Sequence, residues 1–257
     1  MMYFLTVFGT FVLPFILLYY YWKKTAYFIS FMLEVVCFLV TQMFFRPIFL
    51  NGIVIPYYLP DYRMFNSMTI IVVAAFSAGF FEETGRYFIG KTRRKGWKPS
   101  FQDAVAFGLG HASLESVGIG LTNLMSWKEL YYLDVNFLNL LIPLDRIISG
   151  VAHVAFTMIV FYGLRRKRKQ RLFLLIAILY HFALDFIGGT FLYVFDFGQA
   201  ILGGVWAVEH EKYLMWIYTI IKLLSAYMVI LFAKKGFVKM EKEESYQLSE
   251  GCELSPL

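Results

Sequence analysis

Three short runs hold the residues that could do chemistry. They are Phe80-Phe81-Glu82-Glu83-Thr84-Gly85-Arg86, Phe107-Gly108-Leu109-Gly110-His111, and His181 with Asp185 four positions on. All lie in long apolar stretches, where a charged side chain costs at least a few kcal/mol to insert. Charges persist there when they pair, line a wet cavity or do chemistry. On a helix, Glu82 and Glu83 are four and three positions before Arg86, so either carboxylate can reach the guanidinium. The two carboxylates point ~100° apart, so Arg86 can hold one while the other faces elsewhere. His111 and Glu115, and His181 and Asp185, are i, i+4 pairs on single faces. Asp145-Arg146 and His153 add a third candidate group, with Arg146 and His153 seven apart on a shared face. A buried carboxylate is suited to accepting a proton near neutral pH, and a histidine to donating toward a developing oxyanion.

The elements that must position these residues are transmembrane helices. The chain has 257 residues, 59% hydrophobic, 20% aromatic and 16% charged. A soluble domain of this length carries about a quarter charged residues, so this is an integral membrane protein. Its 28 Phe and 18 Tyr are read as lipid-facing surface and interface belt. Seven apolar stretches have the ~20 residues a bilayer needs. They run from about 3 to 22, 27 to 50, 67 to 90, 101 to 125, 137 to 164, 172 to 195 and 213 to 233. The first lacks a basic leader and a small-residue cleavage site, which marks a retained helix rather than a signal peptide. Residues 51–65, with Pro56 and Pro60, and residues 196–212 read as loops. Gly188-Gly189 reads as a bend or break. The expected architecture is an all-α, polytopic membrane bundle over residues 1–236, with its site helices within 67–195. Residues 237–257 form a polar tail that the composition marks as disordered. No internal repeat is visible. Cys37 and Cys252 imply no disulfide framework.

Charge fixes the orientation. Lys23-Lys24 and the basic runs 91–98, 165–171 and 234–242 hold 17 of the 24 Lys and Arg residues. In a seven-span chain all four fall on one side, and only Arg63, Lys128 and Lys212 fall on the other. That bias puts the N-terminus outside and the C-terminus in the cytoplasm. It also accounts for the net charge of +6 without a nucleic-acid partner. Counted from the basic ends, Glu82, His111, His153 and His181 all lie nine to twelve residues deep. That is roughly 13–18 Å along a helix, near mid-membrane.

Plainer roles go to the remaining polar residues. Arg86 is read as the partner of one glutamate, and Asp145-Arg146 as a charge pair locking helices. Glu34, Arg46 and Lys222 are read as packing or snorkelling groups. His210 has no assigned role. The expected centre is Glu82, His111 and His181 around one water-reachable cavity opening toward the cytoplasm, with Glu115 and His153 behind it.

The runs Glu82-Glu83-x-x-Arg86, Phe107-x-x-x-His111 and His181-x-x-x-Asp185 resemble the three motifs of the CAAX-protease and bacteriocin-processing superfamily. Within it the nearest resemblance is to the YhfC family of membrane peptidases, which Glu115 and His153 also fit. The resemblance spans residues 80–189. It implies peptide-bond hydrolysis within a bacterial plasma membrane, on a membrane-embedded or membrane-proximal peptide. It makes Glu82 the general base on a water. His111 and His181 position that water or the oxyanion, and Glu83 and Arg86 support the site. Asp185 stands where the superfamily often has Asn, and an ionised aspartate cannot donate a hydrogen bond.

Two chemistries stay open on these residues. A metal-free glutamate mechanism, with no cofactor, is the favoured one. A zinc site is the other, with His111, His181, Glu82 and Asp185 as ligands, although no HExxH is present. Two other classes compete with the peptidase. One is a proton- or ion-coupled transporter, since proton relays use such intramembrane residues. The other is a non-catalytic scaffold or immunity-type membrane protein, which has no reason to keep the whole constellation.

Overall fold

In the computed structural model, residues 7–58, 67–93, 97–125, 138–166, 169–202 and 204–253 are described. Among them the regular structure is all helical, in seven helices: α1 (residues 8–23), α2 (25–58), α3 (Ser67–Thr92), α4 (Phe101–Met125), α5 (Leu138–Arg165), α6 (Gln170–Leu202) and α7 (Gly204–Glu253). Six are long and apolar enough to cross a membrane. The described part of α1 is shorter, because the start of the expected first span lies outside the described residues. The protein is a polytopic helical bundle. A bilayer leaves no other option for a non-barrel chain, since every backbone N–H and C=O must be satisfied within the segment.

The strongest packing joins α3 to α6, α2 to α4, α4 to α5, and α5 to α7. These are the pairs that carry the polar residues. The spans Met68–Thr92, Phe101–Thr122, Leu144–Arg165 and Gln170–Thr190 have Glu82, His111, His153 and His181 at or next to their midpoints.

Two glycines set the closest approaches. A Cβ on Gly108 would lie 2.5 Å from the Cα of Val154 and 2.8 Å from the carbonyl oxygen of His153. One on Gly110 would collide with the backbone carbonyl of Phe31. In both cases the obstacle is backbone, so neither side can give way. Gly108 thus lets α4 meet α5 beside His153, and Gly110 lets α4 meet α2 near Glu34. Gly108→Ala is expected to cost about 1–3 kcal/mol or more from overpacking. A lowered melting temperature in detergent measures it, and an unchanged one would show that the contact is looser than drawn.

Helix α2 is not a regular α-helix. It passes through π-helical turns at Leu39–Phe45 and Leu50–Val54, each followed by a short α segment, Arg46–Phe49 and Ile55–Tyr58, with Pro47 and Pro56 in their first turns. Proline has no N–H to donate and crowds the carbonyl four residues back, which favours widened turns before it. Such turns often sit at functional sites. Here the first one carries Gln42 toward α3.

The loop expectations need correction. Residues 51–58 continue α2 as helix, while 59–65 lie outside the described residues. Residues 196–202 belong to α6 and 204–212 to α7. Glycine there costs about 1 kcal/mol in a helix but does not forbid one, and the stretch has no proline. For the same reason α6 runs unbroken through Gly188-Gly189, which serve packing instead. A Cβ on Gly188 would meet the Tyr218 ring of α7, and one on Gly189 would meet Ile71 of α3. The sequence reading ended the bundle near residue 236, but α7 continues as helix to Glu253. Phe237 and Met240 are buried against Phe161 and Met158, and Arg165 holds Glu244 at 2.9 Å.

Candidate active site

Glu82, Glu83 and Arg86 come from α3, His111 and Glu115 from α4, Asp145, Arg146 and His153 from α5, and His181 and Asp185 from α6. The structure brings all of them into one polar network within the bundle. Its centre is Oε2 of Glu82. It lies 2.9 Å from Nε2 of His111, 3.8 Å from Nδ1 of His153 and 3.8 Å from Nε2 of His181. The other oxygen of Glu82 accepts from Nε2 of Gln42 at 2.7 Å.

Arg86 is fully buried and forks among three carboxylates. Its Nε donates to Glu34 at 2.9 Å, Nη1 donates to Glu83, and Nη2 stands 3.5 Å from Glu82. Nη2 also faces Nδ1 of His153 at 3.1 Å. The sequence reading gave Arg86 one glutamate, whereas the structure gives it three.

Glu34 is the residue that reasoning along the chain missed. It was assigned to packing, yet it is fully buried and its Oε1 also meets Nδ1 of His111 at 2.6 Å. Its partners are 52 and 77 residues away, so no local spacing reveals them. Only its charge, in an apolar span, was a signal. Arg46 and Lys222 are corrected in the same way. Arg46 donates to Gln42, Ser77 and the Ala74 carbonyl. Lys222 donates to Asp145 at 3.1 Å and to Ser149 at 2.6 Å. Neither snorkels. Asp145 and Arg146 do pair with each other, but Arg146 also reaches Glu115 at 3.3 Å, so the pair is part of the network. The side chain of His210 lies outside those described.

A carboxylate only accepts, so a neutral histidine bonds one through the nitrogen that carries its proton, and a charged one through both. His111 turns Nδ1 to Glu34, and His181 turns Nδ1 to Glu83 at 2.8 Å. Nε2 of each also faces a carboxylate, Glu82 at 2.9 Å from His111, and Asp185 at 3.4 Å and Glu82 at 3.8 Å from His181. His153 turns Nε2 to Glu115 at 3.0 Å, and its Nδ1 lone pair is met by Arg86. The rings themselves are fixed by aromatic packing. Phe38 stands edge-on to His111, and Phe156 stacks on His181 at 4.3 Å between centroids.

One contact has no hydrogen bond to explain it. Oε2 of Glu82 and Nε2 of His111 are 2.9 Å apart, both buried, and neither makes a hydrogen bond. A proton on either atom, or a cation between them, satisfies that contact. The network holds six carboxylates (Glu34, Glu82, Glu83, Glu115, Asp145, Asp185), four Arg or Lys side chains (Arg46, Arg86, Arg146, Lys222) and three histidines, so protons on its histidines or carboxylates balance its charge as a metal would. Donor atoms within 4.8 Å of one another form two groups that share Glu82: Glu82 with His111 and His153, and Glu82 with Glu83 and His181. Within these, Nδ1 of His153 already faces a guanidinium, and Glu83 is held by Arg86 and His181. Neither group holds His111 and His181 together, so each offers Glu82 with one of these two histidines as part of a ligand set. A carboxylate stands behind each imidazole, Glu34 behind His111 and Glu83 behind His181, as behind zinc-bound histidines.

The fold and this centre define a class, the polytopic helical membrane protein with a buried glutamate–histidine site. The chain matches the family model of the YhfC intramembrane metalloproteases over residues 9–137 and 134–209. It belongs to that family, and the superfamily placement agrees with it. No curated protein and no solved structure matches the chain.

Proposed function

We propose that this protein hydrolyses peptide bonds within the membrane at the Glu82, His111 and His181 centre, where Glu82 and a facing histidine would hold a zinc ion. The observation that carries this reading is the matched pair of histidines. Each is backed by a buried carboxylate, and each turns Nε2 toward the same oxygen of Glu82. The family's description as metalloproteases supports it. A zinc ion supplies Lewis acidity toward the scissile carbonyl and toward a water.

The chain's own residues do the rest. Glu34 and Glu83 hold the two imidazoles through Nδ1, which orients Nε2 toward Glu82. Arg86 holds both of those carboxylates in place and offsets their charge. Asp185 lies 3.4 Å from Nε2 of His181, with its side chain 39% exposed. That places it to take the proton of a water entering the cavity. An ionised aspartate suits an acceptor, which is why it can stand where the superfamily's asparagine would donate. Glu115 and His153 tie Arg146 to the centre. Residues 1–236 make up the membrane-embedded body, and the cell membrane is the setting that body requires.

Metal analysis of the purified protein tests the proposal. About one zinc per chain is expected, falling to background in at least one of His111→Ala and His181→Ala. Chelation should abolish cleavage of a membrane-inserted peptide, and added zinc should restore it. A metal-free protein that still cleaves would replace zinc with Glu82 acting as the base. A metal-free protein that cleaves nothing would remove the peptidase reading.

A further inference from the structure

We propose that the site is reached from the extracytoplasmic face, and that its substrate is a peptide segment presented in the outer half of the membrane. The substrate half of this inference rests on the peptidase reading. The access half rests on geometry and charge.

A cavity of about 440 Å³ adjoins Glu82, His153 and His181. It is lined between residues 71 and 82 on α3, 145 and 156 on α5, 181 and 189 on α6, and 215 and 222 on α7. On α3 and α5 these residues precede the site residue or coincide with it, apart from Phe156. On α6 they follow it. Because α6 runs antiparallel to α3 and α5, all of these except Phe156 lie at or on one side of the Glu–His level. Side-chain exposure rises in that direction, from 8% at Glu82 and 7% at His153 to 29% at Glu115, 31% at Asp145 and 39% at Asp185. Water therefore has a polar path outward from the site.

In the other direction the described residues pack into an apolar cluster. Phe107, Met158, Phe161, Ala177 and Phe237 are each at 0% exposure, and Tyr87 joins them in one core cluster. Phe107, Met158, Phe161 and Ala177 lie between the site and the ends that carry Lys91 and Arg165, and Phe237, three residues past Lys234, packs at that end beside Phe101 and Arg165. The basic bias makes those ends cytoplasmic. The expected cytoplasmic opening is thus corrected. The polar residues beyond the site lie toward the opposite face. A cavity of about 540 Å³ at the basic end, lined by Lys91, Trp97, Arg165 and Glu244 among others, has no site residue in its wall and lies beyond the apolar cluster. Hydrolysis needs water and an unwound substrate backbone at Glu82, and the cavity that reaches Glu82 among the described residues lies in the outer half. A translocated juxtamembrane stretch, or a membrane segment unwinding at its outer end, meets that requirement.

Thiol accessibility tests this without using activity. In chains carrying Cys252→Ser, with Cys37 left in place because it is buried, Ala74→Cys and Met215→Cys put a thiol on two walls of the cavity. Lys169→Cys marks the basic end. A membrane-impermeant cationic methanethiosulfonate is added to right-side-out or to inverted membrane vesicles, and the remaining thiols are labelled after denaturation. Ala74→Cys and Met215→Cys should react at least tenfold faster in right-side-out vesicles, and Lys169→Cys at least tenfold faster in inverted ones. The inference is overturned if both wall thiols react faster in inverted vesicles. It is also overturned if they react from neither side, or if Lys169→Cys reacts from outside. If the walls label as expected but no peptide is cleaved, access from outside stands and the substrate half falls with the peptidase reading.

Discussion

Glu82→Gln should lose both zinc and peptide cleavage while the protein stays folded. Glutamine keeps the shape and can still accept from Gln42, but it removes the charge that a metal and two imidazole nitrogens face. Asp185→Asn separates binding from turnover. Asp185 is the most exposed carboxylate of the network and belongs to neither group of converging donor atoms. The variant should therefore keep its zinc and lose activity by roughly 10²–10⁴-fold, the range for a positioned proton acceptor. Metal content by elemental analysis and cleavage of one membrane-inserted peptide decide both. An Asp185→Asn protein with full activity would move proton transfer to another group. A Glu82→Gln protein with wild-type zinc would remove Glu82 from the ligand set.

Arg86→Ala should be the most destabilising single substitution in the bundle, at about 3–5 kcal/mol, because it strands buried carboxylates without a counter-ion. Arg86 serves Glu34, Glu83 and Glu82 at once from a fully buried position. Arg86→Lys should rescue little, since an ammonium cannot span three carboxylates as a guanidinium fork does. Adding Glu34→Gln to Arg86→Ala should recover part of the loss, because it removes one stranded charge. Thermal unfolding in detergent reads all three proteins. Equal melting of Arg86→Ala and the wild type would mean that these carboxylates carry protons rather than charge.

The sequence by itself determined the solvent, the spans and the level of the site. Composition requires a bilayer, and a bilayer requires helices, because no water is present to satisfy an open backbone. Each helix then rises by a fixed amount per residue, so counting from the basic ends places Glu82, His111, His153 and His181 at one depth. The i, i+4 faces of His111 with Glu115 and of His181 with Asp185 also follow from local periodicity. The family resemblance was legible in those motifs.

The tertiary structure alone decided how the helices face one another. Rotation about a helix axis and the choice of neighbours leave no local trace in an apolar sequence. Glu34 looked like an isolated charge because its partners, Arg86 and His111, lie on two other helices, brought close by the bare backbone of Gly110. Lys222 was equally unreadable until α7 packed on α5 and met Asp145. The direction of the cavity followed the same rule. Positive charge marks the cytoplasmic end of each helix, but whether aromatic side chains close that end depends on Phe107, Phe161 and Phe237 meeting from three helices. Depth is a property of one helix at a time, whereas enclosure is a property of several, and only their packing fixes it.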